Sequence, residues 1–388
     1  MEKVSVVASM EYNEKTLSKK VKILLDGLGG LESFVKPGQN VLLKVNLLMD
    51  KPPEAMVTTN PILVKIIARM IKEIGAYPII GDSPGGPFNK TILKRAYQKT
   101  GLAEIAKQVG AELNYNLEQI NVQYDGSLVK SFVLGSYITE ADVVINLAKL
   151  KTHGLTMITG AVKNLFGAIP GLLKAEYHLK MPRIDHFAEM LIDLSLCIKP
   201  TLSIIDGVWG MEGEGPSSGE PRNFGYLLAS KSPYAVDVAV ALLLGITPVS
   251  KAPIIKAAGD KKLPSSIDDI ELLGDKLITA KNVKIPQSIE SSNLLDRKLP
   301  DFLVKFLTPL LRPRPVFNHD KCLGCGDCFR ICPPKAITMG NKKPILLLEE
   351  CIRCFCCQEL CQYQAVDIKR PLLGNLLEKY GDKIIKRY

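Results

Sequence analysis

Residues 142–167, "DVVINLAKLKTHGLTMITGAVKNLFG", decide how this chain is read. Asp142 to Ala148 forms an apolar run of strand length, and such runs mark strands buried on both faces of a parallel sheet. The following "KTHGLTMITGAVKNLFG", 151–167, sets Lys151, His153, Lys163 and Asn164 among neighbours that are mostly apolar or small. Polar groups that follow a buried strand gather at its carboxyl end, where open α/β sheets bind ligands. The expectation is an α/β sheet with a ligand site at its strand ends.

Outward from this stretch, residues 1–285 alternate apolar runs with amphipathic segments, the rhythm of a mostly parallel sheet with covering helices. Strands are predicted at 41–45, 77–81 and 202–205. A helix is predicted over 61–74, with Thr59 or Asn60 as cap, Pro61 at its first position, and Ile62, Ile66, Ile67, Met70, Ile71 and Ile74 on one face. A buried helix over 235–244 ends at Gly245, and the region has no internal repeat. Residues 299–311 read as an amphipathic docking helix before the stiff Arg312-Pro313-Arg314-Pro315 linker. Residues 372–388 read as a short basic amphipathic helix that packs on the body. The division is an α/β domain over 1–298, a connector over 299–315, a cysteine-rich domain over 316–370 and a tail over 371–388.

A chain of 388 residues, 46% of them hydrophobic, can bury a large core in two or three domains. The first residues lack a basic-then-apolar signal layout, and the longest apolar runs, such as 239–246, are far shorter than a membrane span. A soluble cytoplasmic protein with no membrane span is expected. The formal charge of +10 raises the question of nucleic acid. The lysines are scattered, however, no basic run is interleaved with aromatics, and no DNA- or RNA-binding motif is present, so nucleic acid is excluded as a partner.

Cysteine usage is lopsided: Cys197 stands alone and the other nine fall between Cys322 and Cys361. Cys322-x2-Cys325-x2-Cys328-x3-Cys332-Pro333 recurs as Cys351-x2-Cys354-x2-Cys357-x3-Cys361. These are spacings of a metal–sulfur site, not of a disulfide framework or a zinc knuckle. Over 316–370 they resemble the bacterial two-cluster ferredoxins, a small α+β fold. The resemblance implies one [4Fe–4S] cluster on Cys322, Cys325, Cys328 and Cys361, and another on Cys351, Cys354, Cys357 and Cys332. Two clusters of about −2 each would leave the chain near +6. The second run departs from the pattern with Gln362 in place of proline and with a ninth thiol, Cys356, read as an ordinary buried cysteine. Eight basic and six acidic side chains between Asn318 and Arg370 make the module less acidic than free-standing ferredoxins, which suits a tethered module serving its own chain.

Three further loops carry chemistry. Lys44 and Asn46 end the strand at 41–45. Gly81-Asp82-Ser83-Pro84-Gly85-Gly86 reads either as a ligand or phosphate loop or as a plain tight turn. The stretch 206–216 reads either as a cation loop using Asp206, Glu212 and Glu214 or as a solvated Ω-loop. Together with the opening stretch, Lys44-Val45-Asn46, Gly81-Asp82-Ser83-Pro84, Asp206-Gly207 and Glu212-Gly213-Glu214-Gly215-Pro216 resemble a family of iron–sulfur-centre proteins whose front domain is of unknown function. The spacing of His153, Lys163 and His178 is also similar to that in nickel-pincer lactate racemases, where the lysine bonds the pincer nucleotide and the later histidine ligates nickel. No histidine precedes His153, and Lys163 lies farther from Pro170-Gly171 than the racemase pattern has it. This second resemblance implies a related cofactor or anion site and leaves room for a further ligand or metal in the front domain.

Lys163, His153, Lys44, Asn46 and His178 are therefore expected to line one cleft as catalytic residues. Gly81, Asp82, Ser83, Asn164, Asp206, Glu212 and Glu214 are expected as its cofactor-binding groups. Buried lysine seeks an anion or loses its proton, so the ligand should be anionic. The leading expectation is a redox enzyme in which the tail clusters relay electrons to a substrate on the front domain. An electron carrier or cluster-handling protein, and a metal- or pincer-cofactor enzyme, are the alternatives. The partner is expected to be a redox protein or a small anionic substrate.

Overall fold

The computed structural model describes residues 1–286 and 313–370. The helices expected at 299–311 and 372–388 lie outside the described residues.

The front region is built on one mixed, mostly parallel sheet. Its strands are β1 (Glu2–Ala8), β2 (Asn40–Lys44), β3 (Tyr77–Gly81), β4 (Glu112–Leu113), β7 (Val143–His153), β8 (Met157–Thr159), β9 (Leu202–Glu212), β10 (Glu220–Ser230) and β11 (Ile270–Gly274). The hairpin of β5 (Gln119–Gln123) and β6 (Ser131–Gly135) stands apart. The order is β11-β1-β10-β9-β7-β2-β3-β4, with β8 folded back on β7. From β2 the chain moves outward through β3 to β4 and then returns to lay β7 on the other side of β2. That reversal makes a crevice at the carboxyl ends of β2 and β7, where such sheets bind ligands.

Local sequence explains the covering helices. Asn60 accepts from the Ile62 N–H to start the helix Pro61–Glu73 with proline at its first turn, and Leu63, Ile66, Ile67 and Ile71 are buried. Ser232 caps Pro233–Leu243, which is buried almost all round. The sheet's two faces are thereby closed by separate apolar cores, one around Leu43, Ile67 and Ile145 and the other around Leu42, Phe166 and Phe187.

Two strands outrun their expected ends. β7 continues through Lys151, Thr152 and His153, all buried, because β8 pairs Lys151 with Thr159 and His153 with Met157 while β9 pairs Lys151 with Met211. β9 runs to Glu212 because β10 pairs with it as far as Glu220, across a register shift between Asn223 and Tyr226. The first half of the expected 206–216 loop is therefore strand.

The C-terminal module is a small ferredoxin-like fold. β12 (Arg314–Phe317) pairs antiparallel with β15 (Val366–Lys369), and β13 (Ile337–Gly340) with β14 (Lys343–Leu346). Short helices at Asp327–Ile331 and Cys356–Glu359 lie within the two cysteine runs.

Candidate active site

The crevice is sealed from below by a buried ion pair. Lys44 ends β2 with its Nζ 2.7 Å from Asp82 Oδ1, and it also donates to the Val45 carbonyl at 2.8 Å. The other carboxylate oxygen, Asp82 Oδ2, accepts from the Leu47 N–H at 2.7 Å. Gly167 lies directly over this pair. A Cβ there would stand 2.1 Å from Asp82 Oδ1 and 2.5 Å from Lys44 Nζ, so only glycine fits. Beside the pair runs a buried amide chain. Asn46 donates to Asn164 Oδ1 and Asn164 to Asn146 Oδ1, each at 2.8 Å, while Lys151 Nζ donates to Asn46 Oδ1 at 3.0 Å and to the Val57 carbonyl at 2.7 Å.

Above these groups lies a cleft with about 90 Å³ open to the centre of a water-sized sphere, room for roughly six waters or a small organic molecule. Lys163 projects into it from the short helix Ala161–Asn164. The carboxylate of Asp237 fixes that helix by accepting from the N–H groups of Ala161 and Val162 at 2.5 and 3.1 Å. Lys163 Nζ stands 5.0 Å from the ring centre of Phe166 and 5.7 Å from that of Phe187. Burial pushes its pKa below the ordinary lysine value.

His153 is fully buried, and its Nδ1 accepts from the backbone N–H of Leu155 at 3.0 Å and of Thr156 at 3.4 Å. The ring proton of the neutral form must then sit on Nε2. His178 stacks on Phe187 at 4.3 Å between centres, and burial drives its pKa down to about 3. Lys174 donates to the Ser83 carbonyl at 2.9 Å, to Ser83 Oγ at 3.0 Å and to the Pro84 carbonyl at 3.2 Å. Burial lowers Lys151 and Lys174 to about 7 each.

The remaining wall comes from the C-terminal module: Ile331, Cys356, Glu359 and Leu360. Glu359 Oε1 lies 3.2 Å from His153 Nε2, at ion-pair distance without hydrogen-bond alignment, and neither atom has another partner. Burial works to raise the Glu359 carboxyl, but His153 and Lys163 outweigh it and hold the pKa at about 2. Burial, reinforced by Lys163, pushes His153 the other way, toward neutrality. The two tendencies are compatible when the negative charge sits on Glu359 and faces Lys163, with His153 neutral. That assignment also agrees with the two N–H groups donated to Nδ1.

Polar contacts hold the module in place. Arg370 makes a two-pronged contact with Glu214 at 2.5 and 3.1 Å, and Gln358 Nε2 donates to the Glu214 carbonyl at 2.9 Å. Ser217 Oγ donates to the Glu359 carbonyl at 2.7 Å. Lys51 Nζ donates to the Gln362 carbonyl at 2.6 Å, and Gln362 Nε2 donates to Asp50 at 3.0 Å. Gly85 admits Leu360, whose Cδ2 would stand 2.2 Å from a Cβ at that position.

Of the residues expected in the site, Asn46, Asp82, Ser83, His153, Lys163, Asn164 and His178 line the cleft. Lys44 lies behind it, paired with Asp82. Gly81 is held between strands, with Leu42, Asn114 and Tyr137 around its Cα. Asp206 is also outside the cleft: its oxygens accept from Tyr12 at 2.5 Å, from Lys149 at 2.9 Å and from the Asn60 N–H at 2.8 Å, all in the protein interior. Glu212 pairs with Arg222 at 2.6 Å and Glu214 with Arg370, so neither carboxylate is free for a cation or for the cleft. Sequence reasoning placed Lys151 at the strand end without giving it a role in the site and missed Lys174 and Glu359, and Cys356 is a cleft residue as well as a buried thiol.

Among the described residues no three histidine, cysteine or carboxylate groups converge on a single ion. A cubane offers separate iron corners, so its thiolates need not converge. The cysteine neighbourhoods have the crossed pattern such clusters require. Cys328 has Cys325, Cys361 and Cys322 as neighbours, Cys332 has Cys354 and Cys351, and Cys357 has Cys354, Cys351, Cys328 and Cys332.

Comparison with known proteins agrees with this two-part architecture. Residues 41–242 match the model of a domain of unknown function, DUF362, and residues 314–362 match a 4Fe-4S dicluster domain. The thylakoid-associated protein sll1697 of Synechocystis sp. is 35% identical over 321 residues, 81% of this chain and 94% of that protein. Among solved structures, the lactate racemase apoprotein of Thermoanaerobacterium thermosaccharolyticum is similar over 60% of this chain and 55% of its own, with 14% identity and a TM-score of 0.38. A Thermotoga maritima protein is similar over 55% of each chain, with 13% identity and a TM-score of 0.34. No described helix is long and apolar enough to cross a membrane. With a family model spanning residues 41–242 and a 35% identical relative covered over 94% of its length, the chain belongs to the DUF362 family, with an iron–sulfur electron-transfer domain at its C-terminal end.

Proposed function

We propose that this protein is an iron–sulfur oxidoreductase, acting in the cytoplasm, that holds a small anionic substrate in the cleft between its front domain and its C-terminal module. Two [4Fe–4S] clusters, one on Cys322, Cys325, Cys328 and Cys361 and the other on Cys351, Cys354, Cys357 and Cys332, supply one-electron transfer when bound. One observation carries the reading. Cys356 and Glu359, which line the cleft, belong to the segment between the cluster cysteines Cys354 and Cys361.

Each cleft residue has a role in this reading. Lys163, with aromatic rings beside its ammonium and only the charge of Glu359 drawing on it, holds the anion. His153 presents an Nε2 proton to the bound molecule, within reach of Glu359, and so can hold or move a proton there. The amide chain through Asn46, Asn164 and Asn146 fixes the floor. Leu48, Phe166, Ile331 and Leu360 exclude water.

The test is anaerobic paramagnetic spectroscopy of the full chain, reduced with dithionite, with and without small organic anions. A substrate should perturb or reoxidise the reduced clusters, and Lys163→Met should abolish the effect while both clusters still form. A spectrum indifferent to every anion, in a protein that still passes electrons to a carrier, would mean that the chain is an electron carrier and not this enzyme.

A further inference from the structure

The charges around the cleft do not balance. Three ammonium groups reach it: Lys151, Lys163 and Lys174. Lys151 is bonded to neutral acceptors, Asn46 Oδ1 and the Val57 carbonyl, and Lys174 to Ser83 and the Pro84 carbonyl. Lys163 has only ring faces beside it. Asp82, paired with Lys44, also faces Lys174 and Lys151, and Glu359 faces Lys163 and Lys151, so among the described residues two carboxylates stand against four lysines, Lys44 included. Lys163 also sits within electrostatic reach of both other lysines and depresses each of them. Buried cations in excess of their counterions call for a ligand that carries the missing negative charge.

We propose that the cleft takes a small organic dianion of the dicarboxylate class, one carboxylate on Lys163 and the other on Lys174 and the Ser83 hydroxyl. Ser83 is prepared for this role. Its Oγ accepts from the Gly171 N–H at 2.8 Å and from Lys174 at 3.0 Å, so its own proton is left to donate. Between the two cationic points the walls are Leu48, Phe166 and Leu360, which suit a short hydrocarbon spacer. The space fits a molecule of this size. A phosphate is served less well, because the N–H groups that open the Lys163 helix are already given to Asp237.

This inference rests on the cleft described above, but its test needs no electron transfer. The cluster-loaded, oxidised full chain is titrated anaerobically at pH 7 with malonate, succinate and glutarate, and in parallel with acetate, propionate and inorganic phosphate, by calorimetry. At least one dicarboxylate should bind about tenfold or more tightly than both monocarboxylates and phosphate. Lys174→Met and the smaller change Ser83→Ala should each remove most of that preference while leaving monocarboxylate affinity in place. Equal affinity for one and two carboxylates, tighter binding of phosphate, no binding of any dicarboxylate, or full preference retained in Ser83→Ala would each overturn the proposal. If dicarboxylates bind as expected but leave the reduced clusters unperturbed, the redox reading fails and the binding assignment stands.

Discussion

Replacing Lys163 by methionine separates a ligand-binding lysine from a structural one, because the two roles predict opposite signs. A lysine that stabilises the fold has a partner to lose. Lys163 has two aromatic faces at 5.0 and 5.7 Å, and Glu359 attracts it through charge without a hydrogen bond between them. A buried ammonium costs several kcal/mol to desolvate, on the order of 3–5 kcal/mol after relaxation, and the ring contacts return about 0.5–2 kcal/mol. Methionine keeps the length and the apolar packing and removes the charge. Those figures leave about 1–4.5 kcal/mol, part of which the lost attraction to Glu359 takes back, so the ligand-free variant should be more stable than the natural protein by about 1–3 kcal/mol, a rise in melting midpoint of roughly 2–12 °C, while losing anion binding.

The pH dependence follows from the direction of the shift. The unfolded chain keeps the Lys163 proton up to the ordinary value of 10.5, and the folded chain gives it up earlier because of burial. Between those two values the unfolded state binds more protons, so the natural protein gains stability as pH rises and the advantage of methionine shrinks. Below the folded value the advantage is complete. Thermal melts of the ligand-free protein by circular dichroism, at pH 7 and pH 10, measure both effects. A variant less stable by more than about 1 kcal/mol at pH 7, or one that still binds the anion, would refute the reasoning.

Other outcomes are expected elsewhere in the molecule. Gly167→Ala must displace Asp82 or Lys44, both buried, and should cost about 3–5 kcal/mol, read as a fall in the denaturant midpoint. Cys332→Ser should remove the cluster built on Cys351, Cys354 and Cys357 and cut iron from about eight to about four per chain, whereas Cys356→Ser should leave both clusters, checked by iron analysis and paramagnetic spectroscopy. Glu212→Gln removes the charge that meets Arg222 and the Lys284 N–H and should leave anion affinity unchanged in calorimetry. Glu214→Gln loosens a partly exposed pair with Arg370 worth about 1 kcal/mol or less, and should raise hydrogen exchange along 356–362 without loss of either cluster.

The parts of the site that were legible in sequence are those fixed by the chain's own sheet. A buried strand followed by polar residues placed His153, Lys163 and Asn164 at a carboxyl end, and the reversal of strand order around β2 brought Asn46 and Ser83 to the same crevice. Lys151 was given no role although a signal existed. Lys149, Lys151 and His153 alternate along one face of a strand, and three polar residues at period two inside an apolar run point to one polar wall. An irregularity between Lys149 and Lys151 in the pairing with β9 splits their roles, and Lys149 is turned to Asp206 and Tyr12 in the interior. Asp206, Glu212 and Glu214 read as a cation loop because glycine-rich acidic stretches look alike in sequence. Their partners Lys149, Arg222 and Arg370 stand 57, 10 and 156 residues away, and only Arg222 is near enough in the chain to have been weighed. Glu359 could not be found locally, because its role depends on docking a separate domain.

The docking also accounts for the departures in the second cysteine run. The two runs repeat the same spacing, so Asp327, Phe329, Arg330, Ile331 and Pro333 correspond to Cys356, Gln358, Glu359, Leu360 and Gln362. In the first run Phe329 is exposed, and Arg330 turns to Asp327 and the Cys325 carbonyl within its own module. In the second, each corresponding residue meets the front domain: Gln358 at the Glu214 carbonyl, Glu359 at His153, Leu360 against Gly85, and Gln362 at Asp50 and Lys51. Proline at 362 would keep the carbonyl that Lys51 uses but would lose the amide that reaches Asp50. Glutamine therefore stands there because of the interface and not because of the cluster. A free carrier has no such use for these positions. Their chemistry in this chain, polar and apolar in the order the cleft wall requires, argues that the second run supplies most of the module's share of that wall, to which the first adds Ile331.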